Sequence, residues 1–392
     1  MRFVFFLMVM VIAMKCFSQI RITRLNGSLI SQDSLTKSVA ALIDKANVTG
    51  MEIAIYNRKK AVFEKAYGLA NAKTGKTLNV SSNMYGASLS KAVFAVIVLK
   101  LVDEKLISLD TPLQNYLPRP IYEYEHKVWH EDFSALRDDP RYKKITARMC
   151  LSHTTGFPNW RWFEPDQKLR IRFEPGSKYS YSGEGLVYLQ VVIERMTNKS
   201  LEDIAREKLF LPLGMNSSSY KWQEQYEADY ASGHDSAGKV YPKDKDNAPR
   251  GPSTLETTLD DYSKFVTAVL NRKIISAASY KEMFRPQIRI RSKSQFGPMS
   301  ETEGDWNDKI ELSYGLGWGL LKSPYGWAAF KEGHGDGFQH YSILFFEKGT
   351  GMVIMSNSDN AEGIFKYLLE QCIGDMYTPW QWEYYIPFDQ KK

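Results

Sequence analysis

The sequence predicts an α+β fold, an α/β sandwich in which one antiparallel sheet, flanked by helices, is built from both ends of the chain. Three observations carry this. Strand-like apolar runs lie near the N-terminus, in MEIAIYNRKKAVFEKAYG, and they return in the last third as LSYGLGWGLL, YGWAAFKEGH, GFQHYSILFF and GMVIMSNS. Between them the period changes to that of helices. A middle of that kind reads as a mostly helical subdomain, about 106–255, inserted into the sheet domain.

The elements follow in order. Residues 1–18 have one Arg, an apolar run from Phe3 to Met14 and a short polar stretch at Ser18 and Gln19. That is the layout of a secretory signal peptide, and the run is too short for a spanning helix of about 20 apolar residues. The expectation is an exported protein, periplasmic or secreted, with no integral membrane span and cleavage near Ser18. A lipid anchor at Cys16 is the minor alternative, because Lys15 stands where such processing wants a small residue. The main domain then runs over 19–380 and leaves a C-terminal tail, 381–392.

SLTKSVAALIDKA, 34–46, reads as an amphipathic helix. From Ser88, the residues Leu89, Ala92, Val93, Val96, Ile97 and Leu101 recur at helical spacing up to Asp103–Lys105. A polar, aromatic stretch over 121–144 reads as a surface insertion. Helices follow at 146–152, 184–197 and 200–210, and another at 258–271 has Thr257 or Thr258 as N-cap. The last helix spans about Ile364 to Cys372. The aromatic tail MYTPWQWEYYIPF is too apolar to stay free in water, so it should lie against the body or a partner.

Composition narrows the function classes. The 392 residues carry 51 Lys+Arg against 45 Asp+Glu, a net +6 with no long basic run, which speaks against nucleic acid. Three cysteines are too few for a disulfide scaffold. Export would allow Cys150 and Cys372 to pair, but nothing in the sequence shows that they do. His126 and His130 sit in polar sequence without a metal-ligand pattern, so neither a metal nor another cofactor is expected. The oligomeric state is not legible.

Chemistry concentrates at Ser88-Leu89-Ser90-Lys91. Ser and Lys three apart on a helix share a face. A serine at a helix start also holds its hydroxyl and amide at the positive end of the dipole, where an oxyanion is stabilised. An apolar helix behind Lys91 would lower its amine pKa and suit it as a base. Ser-x-x-Lys recurs at Ser34, Ser218 and Ser236, so the motif alone is weak. Two further segments strengthen it. FEPGSKYSYSGEGLVYLQ places Tyr181 in a loop before a helix, where it could serve as a phenolate or a proton relay. EGHGDGFQHYSILFF offers His334 with Gly335 and Gly337, where a backbone N–H could approach a ligand.

Together with KLISLDTPLQNYLP, ITARMCLSHTTGFPNW, LEDIAREKLFLPLGM and STLETTLDDYSKFV, these segments resemble the penicillin-recognising serine hydrolases, in their class C β-lactamase, D-aminopeptidase and esterase branch. The resemblance covers nearly all of residues 30–372. It implies the β-lactamase/transpeptidase-like fold and hydrolysis through a Ser acyl-enzyme. The implied nucleophile is Ser88, with Lys91 as its base partner and Tyr181 as general acid/base. His334 would stand in the third motif, and the N–H groups of Ser88 and Gly337 would form the oxyanion hole. Gly183 stands where the family often has a substrate-binding Asn, and Asp336 follows His334-Gly335; both depart from a dedicated β-lactamase. The substrate would be a small molecule or peptide: a β-lactam, a D-amino-acid peptide or a carboxylic ester. The alternative is a non-catalytic penicillin-binding or sensing protein on the same fold. His153 reads as a structural hydrogen-bonding residue, and Trp160, Trp162 and Phe163 as either core or an aromatic wall at the site.

Overall fold

A computed structural model describes residues 21–390. The segment read as a signal peptide, with Cys16, lies outside the described residues. The main sheet has nine strands: β1 (Gly50–Asn57), β2 (Lys60–Asn71), β3 (Lys76–Thr77), β4 (Ile288–Arg289), β5 (Ser313–Tyr314), β6 (Gly319–Ser323), β7 (Gly326–Gly335), β8 (Phe338–Phe345) and β9 (Thr350–Ser356). Their spatial order is β3-β2-β1-β9-β8-β7-β6-β5-β4. The two ends of the chain meet at the antiparallel β1–β9 pair, with Ile53 opposite Ile354. The sheet is therefore antiparallel and contributed by both termini, as the strand-like runs predict. Between Thr77 and Ile288 the chain leaves the sheet and forms most of the helices.

Alternation on β1 explains how both faces are filled. Met51, Ile53 and Ile55 face one way, against Leu35, Val39 and Ile43 of α1 (Gln32–Lys45). Ala54 and Tyr56 face the other way, toward α2 (Leu89–Asp103). Twelve of the fifteen residues of α2 are buried. A helix apolar around its whole circumference belongs in the middle of a core, and this one fixes the residues at its N-terminus.

Beyond α2 lie α3 (Gly183–Thr197) and α4 (Leu259–Leu270), each capped by a side chain: Ser182 accepts from the Gly185 N–H and Thr258 from the Asp261 N–H. The final helix, α5 (Glu362–Cys372), covers the same face as α1. The aromatic tail lies on the body: Trp382 is buried, and its indole donates to Ser292 Oγ at 3.1 Å.

Two expectations are refined. The stretch over 121–144 is a chain of short 3-10 turns held down by buried Ile121, Phe133, Leu136 and Tyr142. Its carbonyls at Trp129 and Asp132 accept from the Arg161 guanidinium, so it is anchored to the body. Cys150 and Cys372 are both free and buried, one in each of the two apolar clusters. No helix among the described residues is long and apolar enough to cross a membrane.

Candidate active site

Ser88 occupies the N-cap position of α2 but caps nothing with its side chain. Its hydroxyl is instead engaged by Lys91 Nζ at 2.8 Å, one turn on. Ala87, just before it, is held at φ 46°. That conformation is costly for a side chain with a Cβ and persists only where the surroundings enforce it. They do so here: Ser90 Oγ donates to the Ala87 carbonyl at 2.5 Å, and the Gly86 N–H donates to the Leu255 carbonyl at 2.6 Å. The turn lifts Ser88, which is half-buried, out of the core while Lys91 stays inside it.

Lys91 is 1% exposed. Its other partner is the Pro252 carbonyl at 2.9 Å, and neither contact supplies a negative charge. Burial pushes the amine well below the ordinary lysine value of 10.5, and the nearby Lys331 pushes it further, against a smaller opposing pull from Glu332.

Tyr181 lies beside both amines. Lys91 Nζ is 4.8 Å from the centre of its ring, and Lys331 Nζ donates to its hydroxyl at 3.1 Å. Burial first, and then the Glu332 charge, push the phenol well above its ordinary value, while Ser88 pulls the other way. It is a phenol here, able to relay a proton, and not the phenolate that the sequence left open. His153 fixes its position from behind. The imidazole stacks on the Tyr181 ring at 4.4 Å, accepts from the Ser182 N–H at Nδ1 (3.1 Å) and contacts the Tyr314 hydroxyl at Nε2 (3.2 Å). Burial, first, and then the two lysines hold it neutral, with its proton on Nε2. The expectation of a structural histidine fits that role.

The third segment differs from the sequence expectation. The His334 imidazole points outward, its side chain 62% exposed, and pairs with Glu362 at 2.9 Å, a bond that raises its pKa. The Gly337 N–H is engaged by Asp359 Oδ1 at 3.0 Å, and its φ of 73° belongs to the two-residue turn between β7 and β8. Neither the His334 ring nor the Gly337 amide therefore serves as expected. The group in their place is Lys331, 0% exposed, on Tyr181 and on Glu332 Oε1 (2.8 Å). Lys331-Glu332-Gly333 spells Lys-x-Gly three residues upstream of the histidine, and this is the signal that could have found it. A Cβ on Gly333 would stand 3.0 Å from the Gly86 carbonyl and 3.3 Å from the Leu89 N–H, so this strand runs directly past the turn that carries Ser88.

Strand pairing shows which amides are open there. β6 accompanies β7 only as far as Phe330. Backbone groups alternate sides along an antiparallel strand. The Ser323–Gly326 pair closes the hairpin with β6 and the Gly335–Phe338 pair closes the one with β8. By that alternation the N–H groups of Glu332 and His334 face the edge that β6 has left. Ser88 likewise has no backbone N–H partner among the described residues.

Gly183 is also corrected. It is buried, its N–H donates to Asn159, and a Cβ there would come within 2.8 Å of the Trp160 ring. The glycine makes room for Trp160 and does not present itself to substrate. Outside Tyr181 a cleft of about 260 Å³ opens between Trp160 and Phe163 on one side and Gln295 and Phe296 on the other.

Comparison with known proteins gives the family and the fold. A family profile described as Beta-lactamase matches residues 35–371. The chain is similar to a penicillin-binding protein from Bacillus subtilis (strain 168), 23% identical over 333 residues, covering 76% of this chain and 66% of that protein. It is also similar to a lovastatin esterase from Penicillium rubens, 28% identical over 204 residues, covering 46% of this chain and 51% of the esterase. It thus spans two thirds or less of the length of these relatives. Among solved structures, the octameric penicillin-binding protein homologue from Pyrococcus abyssi shares the fold, with a TM-score of 0.70 at 20% identity over 88% of this chain and 78% of that one.

Proposed function

Because this chain belongs to the beta-lactamase family of serine hydrolases, we propose that it hydrolyses an amide or ester through an acyl-enzyme on Ser88. The observation that carries the reading is the 2.8 Å contact between Ser88 Oγ and a buried amine that forms no ion pair among the described residues.

The steps follow from the atoms. Neutral Lys91 Nζ takes the Ser88 proton as Oγ bonds to the acyl carbon. The oxyanion forms between the open N–H groups of Ser88 and His334, at the positive end of α2. When the tetrahedral centre collapses, the bond to the leaving alcohol or amine breaks, and that group takes a proton relayed from Lys91 through the Tyr181 hydroxyl. Water then adds to the acyl carbon and gives its proton to the amine, the acyl–Oγ bond breaks, Ser88 Oγ takes that proton from Lys91, and the acid leaves. Lys331 keeps the Tyr181 hydroxyl in place throughout.

The first residues support export, with the mature chain beginning after about Ser18, a start that mass spectrometry of the secreted protein would identify. The whole activity is tested with an uncharged fluorophosphonate and a panel of nitrophenyl esters and nitrocefin, using the protein beside Ser88→Ala. Covalent labelling and turnover that vanish in the variant are expected. Labelling without turnover of any substrate would instead favour a sensing protein, and no labelling would remove Ser88 as nucleophile.

A further inference from the structure

We propose that the cleft selects uncharged acyl substrates with a bulky apolar or ring-bearing group, and that Glu332 enforces the charge selection by neutralising Lys331. The inference rests on the acyl-hydrolase reading of Ser88.

Two sets of observations carry it. The first is attractive. Phe296, 47% exposed, meets the Tyr181 ring edge-on at 5.2 Å, and the Trp160 ring lies 6.0 Å from Lys91 Nζ on the opposite side. Trp160 stacks at 4.5 Å on Trp162, and Phe163 beyond it is 67% exposed. These rings neighbour Tyr181 and Lys91, the groups beside Ser88, and Phe163 and Phe296 stand largely in water, where an apolar substrate group would cover them.

The second is the lack of free positive charge. Lys331 is paired with Glu332, whose Oε1 also accepts from Gln295 at 2.8 Å, while its Oε2 is buried with no partner. Arg172, the cation lining the cleft among the described residues, is paired with Glu164, and the lining Glu301 with Lys178. Lys91 is pushed toward its neutral form by burial. A substrate carboxylate would leave water for a cleft whose lining cation is engaged and behind whose Gln295 and Tyr181 lies a buried carboxylate with a bare oxygen. Specificity of this kind comes from the repulsive element as much as from the attractive one.

The test compares 4-nitrophenyl hexanoate with the 4-nitrophenyl monoester of glutaric acid, similar in length but ending in a carboxylate. The protein should favour the neutral ester in kcat/KM by about tenfold or more. Glu332→Gln keeps the shape and removes the buried negative charge, so that a substrate carboxylate no longer meets that repulsion and can itself pair with Lys331. It should narrow that ratio to about threefold or less, by gain on the monoester. Separately, Phe296→Ala, at an exposed site that tolerates truncation, should lower the ratio of 4-nitrophenyl phenylacetate to acetate turnover by about tenfold. Equal use of both charged and neutral esters by the unaltered protein would overturn the proposal. So would a Glu332→Gln protein that still turns over hexanoate with the ratio unmoved. If that variant does not fold, an unmoved phenylacetate ratio in Phe296→Ala overturns it. Loss of Ser88 labelling in the unaltered protein is a different result, since the acyl-enzyme reading then fails along with this one.

Discussion

Lys91 and Lys331 lie at one site, both essentially without solvent exposure, and both contact a hydroxyl of the reaction machinery. What differs is their other partner. Lys91 has a peptide carbonyl, so desolvation is uncompensated and the amine is driven toward its neutral form. Burial lowers the Lys331 pKa as well, but the Glu332 carboxylate at 2.8 Å opposes that lowering. Burial alone does not decide the protonation of a lysine; burial with or without a counter-ion does. On the proposed acyl-enzyme reading, two identical side chains supply a base and an ion-paired partner for Tyr181, and the second also disfavours protonation of the first.

The comparison can be broken most decisively at Lys91. Lys91→Met should lower the rate of acylation by about a thousandfold with the fold intact, read by the kinetics of fluorophosphonate labelling and by circular dichroism. In the unaltered protein the competent form is the neutral amine, so kcat/KM must rise with pH as Lys91 loses its proton. The plateau should be reached well below the ordinary lysine value of 10.5, because burial lowers the pKa. A profile that rises only toward pH 10 would show Lys91 to be an ordinary cation and erase the difference between the two amines.

Lys331 should fail differently. Lys331→Met leaves Glu332 buried without its partner, at a cost of about 3–5 kcal/mol of stability, seen as a lowered denaturation midpoint as well as lost activity. A variant as stable as the parent would mean that the pair contributes nothing to the fold. The smallest effect belongs to the hydroxyl between them. Tyr181→Phe keeps the ring stacked on His153 and removes the relay, for an expected loss of about a hundredfold in kcat and little change in stability. A loss confined to KM would assign Tyr181 to binding.

Legibility followed the range of the interactions. Ser88 and Lys91 could be read from the letters because one helical turn, three residues, joins them, and the apolar run behind them announces burial. Tyr181 was readable from its loop ahead of a capped helix. The third segment was not, because β7 carries Lys331-Glu332-Gly333 and His334-Gly335 within five residues, and both spell a cation before a glycine. A slip along a strand keeps its composition and changes which side chain faces the site. Gly183, too, read as an empty substrate position when Trp160 fills it from 23 residues upstream.

By itself, then, the sequence determined the sheet built from both ends, the buried helix and the serine at its head, since periodicity and capping are local properties of the chain. Only the tertiary structure decided whether Lys331 or His334 of the third segment meets Tyr181, which amides remain open for an oxyanion, and that a carboxylate pairs with one amine but not the other. Those outcomes depend on where β6 stops beside β7 and on which charges share a dry interior, and distance in space is not written as distance along the chain.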